Sequence, residues 1–255
     1  MQLERGWRAG MYGLCFICFG LGGLLLRFIV FPSLFFLCRQ KQQRVYYARF
    51  IIHHLFRCFI MVVAYSGAIE FRVRHAERLK RTGLLVLANH PTLLDVVLLI
   101  SLMKNTSCIV KGPLFSHFAT RGPVHAAGYI SNASQDWLKA CAQALHSGSN
   151  VVIFPEGTRS VGNKALCFNR GAANVAIRLQ QTVTPVIIRC EPPTLMKGEK
   201  WYHVPKEKAV ITLTVEEDIN VAPFIRQAGS QALAARQFNR YLETYFSLGT
   251  RDANT

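Results

Sequence analysis

The apolar residues of this chain change their period near residue 68. Ala9 to Leu26 is apolar without a charge, and after Arg27 the run resumes from Phe28 to Cys38 around Pro32. That first stretch reaches the roughly 17 residues a bilayer-crossing helix needs. Arg44 to Gly67 mixes Val45, Phe50, Ile51, Leu55, Phe59, Val62 and Val63 with Arg49, His53, His54 and Arg57. This mixture predicts an amphipathic helix, lying on a membrane surface or packed on the rest of the protein. From residue 69 onward short apolar runs alternate with longer periodic ones. They predict strands at 69–73, 84–88, 107–111, 128–131, 150–154, 183–189 and 209–216, and helices at 92–103, 135–147, 171–181 and 229–247. Strands alternating with helices imply an α/β fold, a mixed sheet flanked by helices. In the last helix Leu233, Phe238, Tyr241, Leu242 and Tyr245 form the expected core stripe. The pattern divides the chain into an N-terminal hydrophobic helical, membrane-associating segment, 1–68, and a folded domain, 69–255.

Charge sharpens this division. The chain carries 30 Lys and Arg against 14 Asp and Glu, a net +16. Residues 1 to 82 hold 13 of the cations and 3 of the acids, a net +10. Basic residues beside a long apolar run suit an anionic membrane surface. Nucleic acid is disfavoured as a partner, because the cations are interleaved with apolar runs and no nucleic-acid motif is present.

The apolar run allows one tilted transmembrane helix, a hairpin dipping into one leaflet, or a buried core helix. Arg5 and Arg8 precede it; Arg39, Lys41, Arg44 and Arg49 follow. The basic excess after the run favours a cytoplasmic folded domain, here at a cell inner membrane. The run is too long for a cleaved signal peptide, and no clear small-residue cleavage site follows it. The eight cysteines are scattered, and Cys15 and Cys18 lie inside the apolar run, so they read as packed thiols of a reducing compartment. His53 and His54 are neighbours and point to different faces of a helix, which argues against a metal site.

Candidate chemistry lies in two segments. Asn89-His90-Pro91-Thr92-Leu93-Leu94-Asp95 follows the expected strand 84–88. His90 sits at a strand-to-helix turn, with Pro91 as the expected first helical residue and Asp95 about one turn further on. Histidine titrates near neutrality and suits general-base work. A carboxylate reaching back to one imidazole nitrogen fixes the tautomer and stabilises the imidazolium. Taken alone, the pair also reads as a loop histidine and a first-turn acid favoured by the helix dipole. The second segment, Phe154-Pro155-Glu156-Gly157-Thr158-Arg159-Ser160, ends the strand at 150–154. Gly157 lets the backbone approach a ligand. Arg159 presents a planar fork for phosphate oxygens, Thr158 adds a hydroxyl and an amide, and Glu156 orients Arg159 or accepts a bond from a substrate hydroxyl. A surface turn with a salt bridge is the plainer alternative.

The two segments, in this order, resemble the glycerolipid acyltransferase family, best known for the 1-acylglycerol-3-phosphate acyltransferases. The resemblance covers roughly residues 70 to 220. It implies a membrane-bound enzyme that moves a fatty acyl group from a thioester, acyl-CoA or acyl-carrier protein, to a hydroxyl of a lysophospholipid-type acceptor. His90 is the implied base and Asp95 its partner, with no cofactor and no metal. Glu156, Gly157, Thr158 and Arg159 are the implied holders of the acceptor phosphate. Ile109 to Phe115 and Gly128 to Asn132 look like the second family motif. Lys111 joins the implied acceptor site, but Asn132 stands where the family usually has a phosphate-binding Arg. Thr184 to Ile188 looks like the fourth motif, in which Pro185 shapes the acyl pocket; the usual second Pro is Ile188. Within the family the chain looks most like the small acyltransferases associated with aryl polyene lipid clusters, which leaves a non-standard acceptor open. A hydrolase using water, and a lipid-binding module without turnover, are the competing classes. The chain has no GxSxG elbow for a nucleophilic serine.

Overall fold

The computed structural model describes residues 2–118, 120–160 and 165–251. Seven strands form one sheet: β1 (Ile69–Arg74), β2 (Leu85–Ala88), β3 (Thr106–Val110), β4 (Ile130–Ser131), β5 (Asn150–Ile153), β6 (Val183–Glu191) and β7 (Ala209–Val215). Their order is β1-β7-β6-β2-β5-β3-β4. β6, β2, β5, β3 and β4 are mutually parallel, while β7 runs antiparallel to β6 and carries β1 parallel to itself. The expected mixed sheet is therefore present, with every expected strand in place.

All four residues of β2 and of β5 are buried, because helices cover both faces of these central strands. The helices are α1 (Gln2–Leu25), α2 (Phe31–Leu37), α3 (Lys41–Tyr65), α4 (Asp95–Leu102), α5 (Arg121–Ala126), α6 (Trp137–His146), α7 (Gly171–Arg178), α8 (Ala222–Gln227) and α9 (Gln231–Arg251). The two-residue period of the strands sends alternate side chains to opposite layers. Val86, Ala88 and Val152 meet α1, α3 and α4. Leu85, Leu87, Val151 and Ile153 meet α6, α7 and α9.

α1 and α2 form one helical rod joined by a π turn at Leu26–Val30, one turn ahead of Pro32. Pro32 has no amide hydrogen to give, and such local rewinding is a usual accommodation. α3 then returns as the second arm of a hairpin. The N-terminal region is not a separate packing unit. Tyr12, Ile60, Val63 and Ala68 belong to the same core as the sheet residues Val86 and Ile211. Arg8 Nη2 donates to the Lys206 carbonyl at 2.6 Å, and Arg49 Nε to that of Ala127 at 2.7 Å. His53 is buried and its Nδ1 contacts the Ile100 carbonyl at 2.9 Å, so its ring ties α3 to α4.

The stripe on α9 is partly corrected. Phe238 and Leu242 are core residues as expected, but Leu233 and Tyr241 face solvent. The buried line runs through Ala234, Ala235, Phe238, Leu242 and Phe246. Small side chains let α9 approach α7, which offers Ala172, Ala173 and Ala176. A reading weighted toward large residues misses such a contact.

Candidate active site

The parallel strands β6, β2, β5, β3 and β4 all end at the same edge of the sheet. Ligands of open α/β sheets bind outside this carboxyl edge. His90 follows β2 there, and Phe154 to Ser160 follow β5, its direct neighbour. Lys111 follows β3 and Asn132 follows β4, so both motif segments and the second-motif residues share one rim.

Asn89 extends the ladder with its side chain. Its Nδ2 donates to the Ile188 carbonyl at 2.7 Å, and its Oδ1 accepts from the Ile188 amide at 2.7 Å. A proline at 188 has no such proton to give. This buried amide pair fixes β2 where it turns into His90.

His90 Nδ1 lies 2.9 Å from Asp95 Oδ2, with its ring 4.5 Å from that of Phe154. The imidazole is 17% exposed and the Asp95 side chain is fully buried. α4 begins at Asp95, not at Pro91. Side-chain bonds replace the missing first turn: Thr92 N and Thr92 Oγ1 donate to Asp95 at 2.6 Å each, and Leu94 N donates to Thr92 Oγ1 at 3.2 Å. Thr92 was not singled out from the sequence, although Thr92-x-x-Asp95 has capping-box spacing. Burial pushes the Asp95 carboxyl above its ordinary range, and the bonds from His90 and Thr92 oppose it. With Nδ1–H given to Asp95, Nε2 keeps the basic lone pair.

Glu156 does not orient Arg159. Its Oε1 accepts from the His90 amide at 2.8 Å and from Ser160 Oγ at 2.9 Å. Ser160 N in turn donates to the His90 carbonyl at 2.7 Å. The Phe154–Ser160 segment thus holds the His90 turn through its backbone. Burial raises the Glu156 carboxyl, while the His90 and Ser160 bonds lower it.

Gly157 has φ +65, and a Cβ there meets Asn169 Nδ2 at 2.9 Å. Asn169 Nδ2 donates to the carbonyls of Pro155 and Glu156 at 3.2 and 3.1 Å, closing the turn. Arg159 Nη1 donates to the carbonyls of Leu195 and Met196 at 3.0 and 3.2 Å. These bonds hold the guanidinium at the rim, beside the half-buried Thr158. Asn132 Oδ1 accepts from the Gly112 amide at 3.1 Å, bracing the turn that carries the exposed Lys111.

Pro185 is not brought to this rim. It pairs in register with Leu87, inside the sheet and buried. The apolar cavity near the site, of about 240 Å³, is lined instead by α1, α3, the turn before α4 and the loop after β6, among them Tyr12, Phe16, Phe59, Leu93, Leu94 and Leu195. The fourth-motif resemblance could not reveal α1 as a wall, because α1 ends at Leu25, far upstream of Asn89 and Thr184 where the first and fourth motifs begin.

Residues 70–189 match the family model described as Acyltransferase. The chain is 31% identical over 113 residues to the 1-acyl-sn-glycerol-3-phosphate acyltransferase LPAT1, chloroplastic, of Arabidopsis thaliana, covering 42% of this chain and 32% of the relative. It is 30% identical over 112 residues to the 1-acyl-sn-glycerol-3-phosphate acyltransferase of Helicobacter pylori, covering 41% and 47%. The matched part thus spans between a third and a half of these relatives. The fold is similar to the crystal structure of the 1-acyl-sn-glycerophosphate (LPA) acyltransferase PlsC from Thermotoga maritima. The TM-score is 0.68 and the identity 20%, over 96% of this chain and 95% of that one. Residues 70–189, which carry both motifs on one rim of this sheet, thus match the Acyltransferase family domain, and the chain as a whole has the fold of that crystal structure.

Proposed function

We propose that the protein transfers a fatty acyl group from an acyl thioester to a hydroxyl of a 1-acylglycerol-3-phosphate-type acceptor. The observation that carries this reading is the His90–Asp95 pair, oriented by buried bonds and set on the same rim as Glu156 to Arg159. His90 Nε2 takes the proton of the acceptor hydroxyl as its oxygen attacks the thioester carbonyl. Asp95 stabilises the imidazolium so formed. As the tetrahedral intermediate collapses, the C–S bond breaks and the imidazolium proton goes to the departing thiolate. Arg159 and Lys111 supply positive charge for the acceptor phosphate, with Gly157 and Thr158 offering close amides. The cavity behind Leu93 and Leu94 is apolar and takes the acyl chain.

The reading includes the membrane as the source of the acceptor. Two helices are long and apolar enough to cross a bilayer. The rod from 2 to 37 is about 54 Å long at 1.5 Å per residue, well beyond the ~30 Å hydrocarbon core. Its first turns are bonded to the folded domain through Arg5 and Arg8. Ile17, Leu21, Phe28, Ile29, Phe36 and Leu37 are each more than half exposed. Immersion of this hairpin in one leaflet, with Arg39, Lys41 and Arg44 at the headgroups, accounts for all three facts. A cytoplasmic face of the inner membrane follows from the basic flank.

The deciding experiment is thioester consumption by the purified full chain with and without lysophosphatidic acid. Diacyl product that requires the acceptor supports transfer. Thioester loss at equal rate without acceptor replaces it with hydrolysis, and no loss on a broad donor and acceptor panel replaces it with a binding module.

A further inference from the structure

A second polar site lies on the other side of the sheet. Arg236 and Arg240, one turn apart on the exposed face of α9, and Arg170 at the head of α7 line a depression of about 260 Å³ with Phe168, Asn239 and Glu243. Three guanidiniums face one carboxylate there. That carboxylate is engaged elsewhere: Glu243 Oε1 accepts from the Phe168 amide at 2.9 Å and from Asn239 Nδ2 at 3.4 Å. Among the described residues no ion pair joins these arginines to an acid.

Asn239 supplies an independent sign of a ligand. It is 7% exposed, yet its Oδ1 is buried without a hydrogen-bond partner. Its Nδ2 faces two acceptors, the Phe168 carbonyl at 3.2 Å and Glu243 Oε1, which fixes the amide orientation. A buried amide oxygen in this state calls for an N–H or O–H donor. The depression therefore suits an anion, held by the three arginines beside this buried, incompletely satisfied amide.

Its position narrows the choice. Arg170 directly follows Asn169, whose amide holds the Pro155–Glu156 turn, and Glu156 bonds the His90 backbone. The site is thus one short step from the catalytic rim. α7 and α9 cover the sheet face opposite to that of α1 and α3. A bilayer touching the apolar hairpin does not reach this face, so a lipid headgroup is a poor occupant and a water-soluble one is favoured.

We propose that this is where the phosphorylated pantetheine arm of the acyl donor docks, a proposal that rests on the acyl-transfer reading above. The arm's phosphate lies on Arg170, Arg236 and Arg240. The arm runs past Asn239, and the thioester end reaches over the rim to His90. Coenzyme A and an acyl-carrier protein both present this arm. Donor and acceptor thereby approach from opposite faces of the sheet.

The test compares the full chain in detergent with Arg170→Gln/Arg236→Gln/Arg240→Gln, after melting curves show both folded. Each is given the same acyl group on coenzyme A, on carrier protein and on N-acetylcysteamine, which has a thioester end but no phosphate. Charge-assisted bonds to three arginines predict that kcat/KM for a phosphorylated donor falls at least about tenfold further than for N-acetylcysteamine, through donor KM. A fall confined to coenzyme A or to carrier protein identifies the source, and equal falls for all three thioesters overturn the site. Calorimetric titration with free coenzyme A and with holo-carrier protein gives a readout independent of turnover. If no thioester is consumed but binding is present in the wild type and lost in the triple variant, the site stands and the transferase reading falls. Binding of neither, or binding unaltered in the variant, overturns the site.

Discussion

The backbone nitrogen of His90 lies 2.8 Å from Oε1 of Glu156, so the turn after β5 holds His90 by its main chain. This bond gives Glu156, expected as an acceptor ligand, a positioning contact through Oε1. Glu156→Ala is expected to lower kcat by about 10²-fold, the scale of a 1 Å misplacement, with less change in acceptor KM. A rise in acceptor KM at constant kcat points instead to direct substrate contact.

The same carboxylate predicts a pH dependence. Burial raises the Glu156 pKa in the folded state. Its proton-linked stability is then fully present below the ordinary carboxylate value, about 4.3, and is lost as pH rises through the raised folded value. Glu156→Gln keeps an acceptor for the His90 amide without the buried charge. Its Tm relative to wild type should climb between pH 4 and pH 8. A difference that stays flat or falls with pH contradicts the assignment of burial as the dominant cause.

His90→Ala is expected to remove the base and cost roughly 10² to 10⁴ in single-turnover rate. Asp95→Asn should leave a folded protein with much reduced turnover, because an amide cannot accept all the bonds now made by His90 Nδ1, Thr92 N and Thr92 Oγ1. Rapid-quench measurement with purified protein checks both. A near-wild-type rate for His90→Ala removes the catalytic assignment.

Much of this was legible in the sequence because it is periodic or local. All seven strands follow from short apolar runs, and His90 and Asp95 are five positions apart. Contacts made by small or polar groups across long separations were not legible. The Asn89–Ile188 amide pair spans 99 residues and the His90–Glu156 bond 66. The helix start was misplaced because Thr92 and Asp95 satisfy the turn with side chains, which a propensity for Pro at the first helical position does not register. α1 as a wall of the apolar cavity has no signal at all in the motifs.

Gly157 combines a left-handed backbone with a crowded Cβ position. Gly157→Ala should cost about 1 kcal/mol from the backbone alone, and more from displacing Asn169. In Gly157→Ala/Asn169→Ala the steric part is already relieved, so the two substitutions should combine less than additively in thermal melts. Strict additivity shows that Asn169 does not crowd the turn.

The apolar hairpin predicts salt-resistant membrane attachment, since salt screens charge contacts but not buried apolar surface. Phe28→Ser/Ile29→Ser/Phe36→Ser alters three exposed side chains and should release the chain from anionic vesicles in flotation at high salt. Retention equal to wild type rejects this face as the attachment surface.

Asn132 joins the acceptor question to a structural one. It stands where the resemblance leads one to expect a phosphate-binding Arg, and its Oδ1 accepts from the Gly112 amide at 3.1 Å beside Lys111. A neutral amide lacks the roughly twofold strength of a charge-assisted bond, so under the proposed function a dianionic headgroup would rest more on Arg159 and Lys111. Asn132→Arg adds a cation but removes the brace on the Lys111 turn. If charge is the limiting factor, acceptor KM for lysophosphatidic acid should drop in the Arg variant while uncharged lyso-lipids gain little. If the brace matters more, KM should rise for both, and Asn132→Ala should reproduce that rise without any added charge. Wild-type selectivity for lysophosphatidic acid that neither substitution alters shows that residue 132 does not read the headgroup. The phosphate would then be held by Arg159, Lys111 and the Gly157–Thr158 turn without help from residue 132.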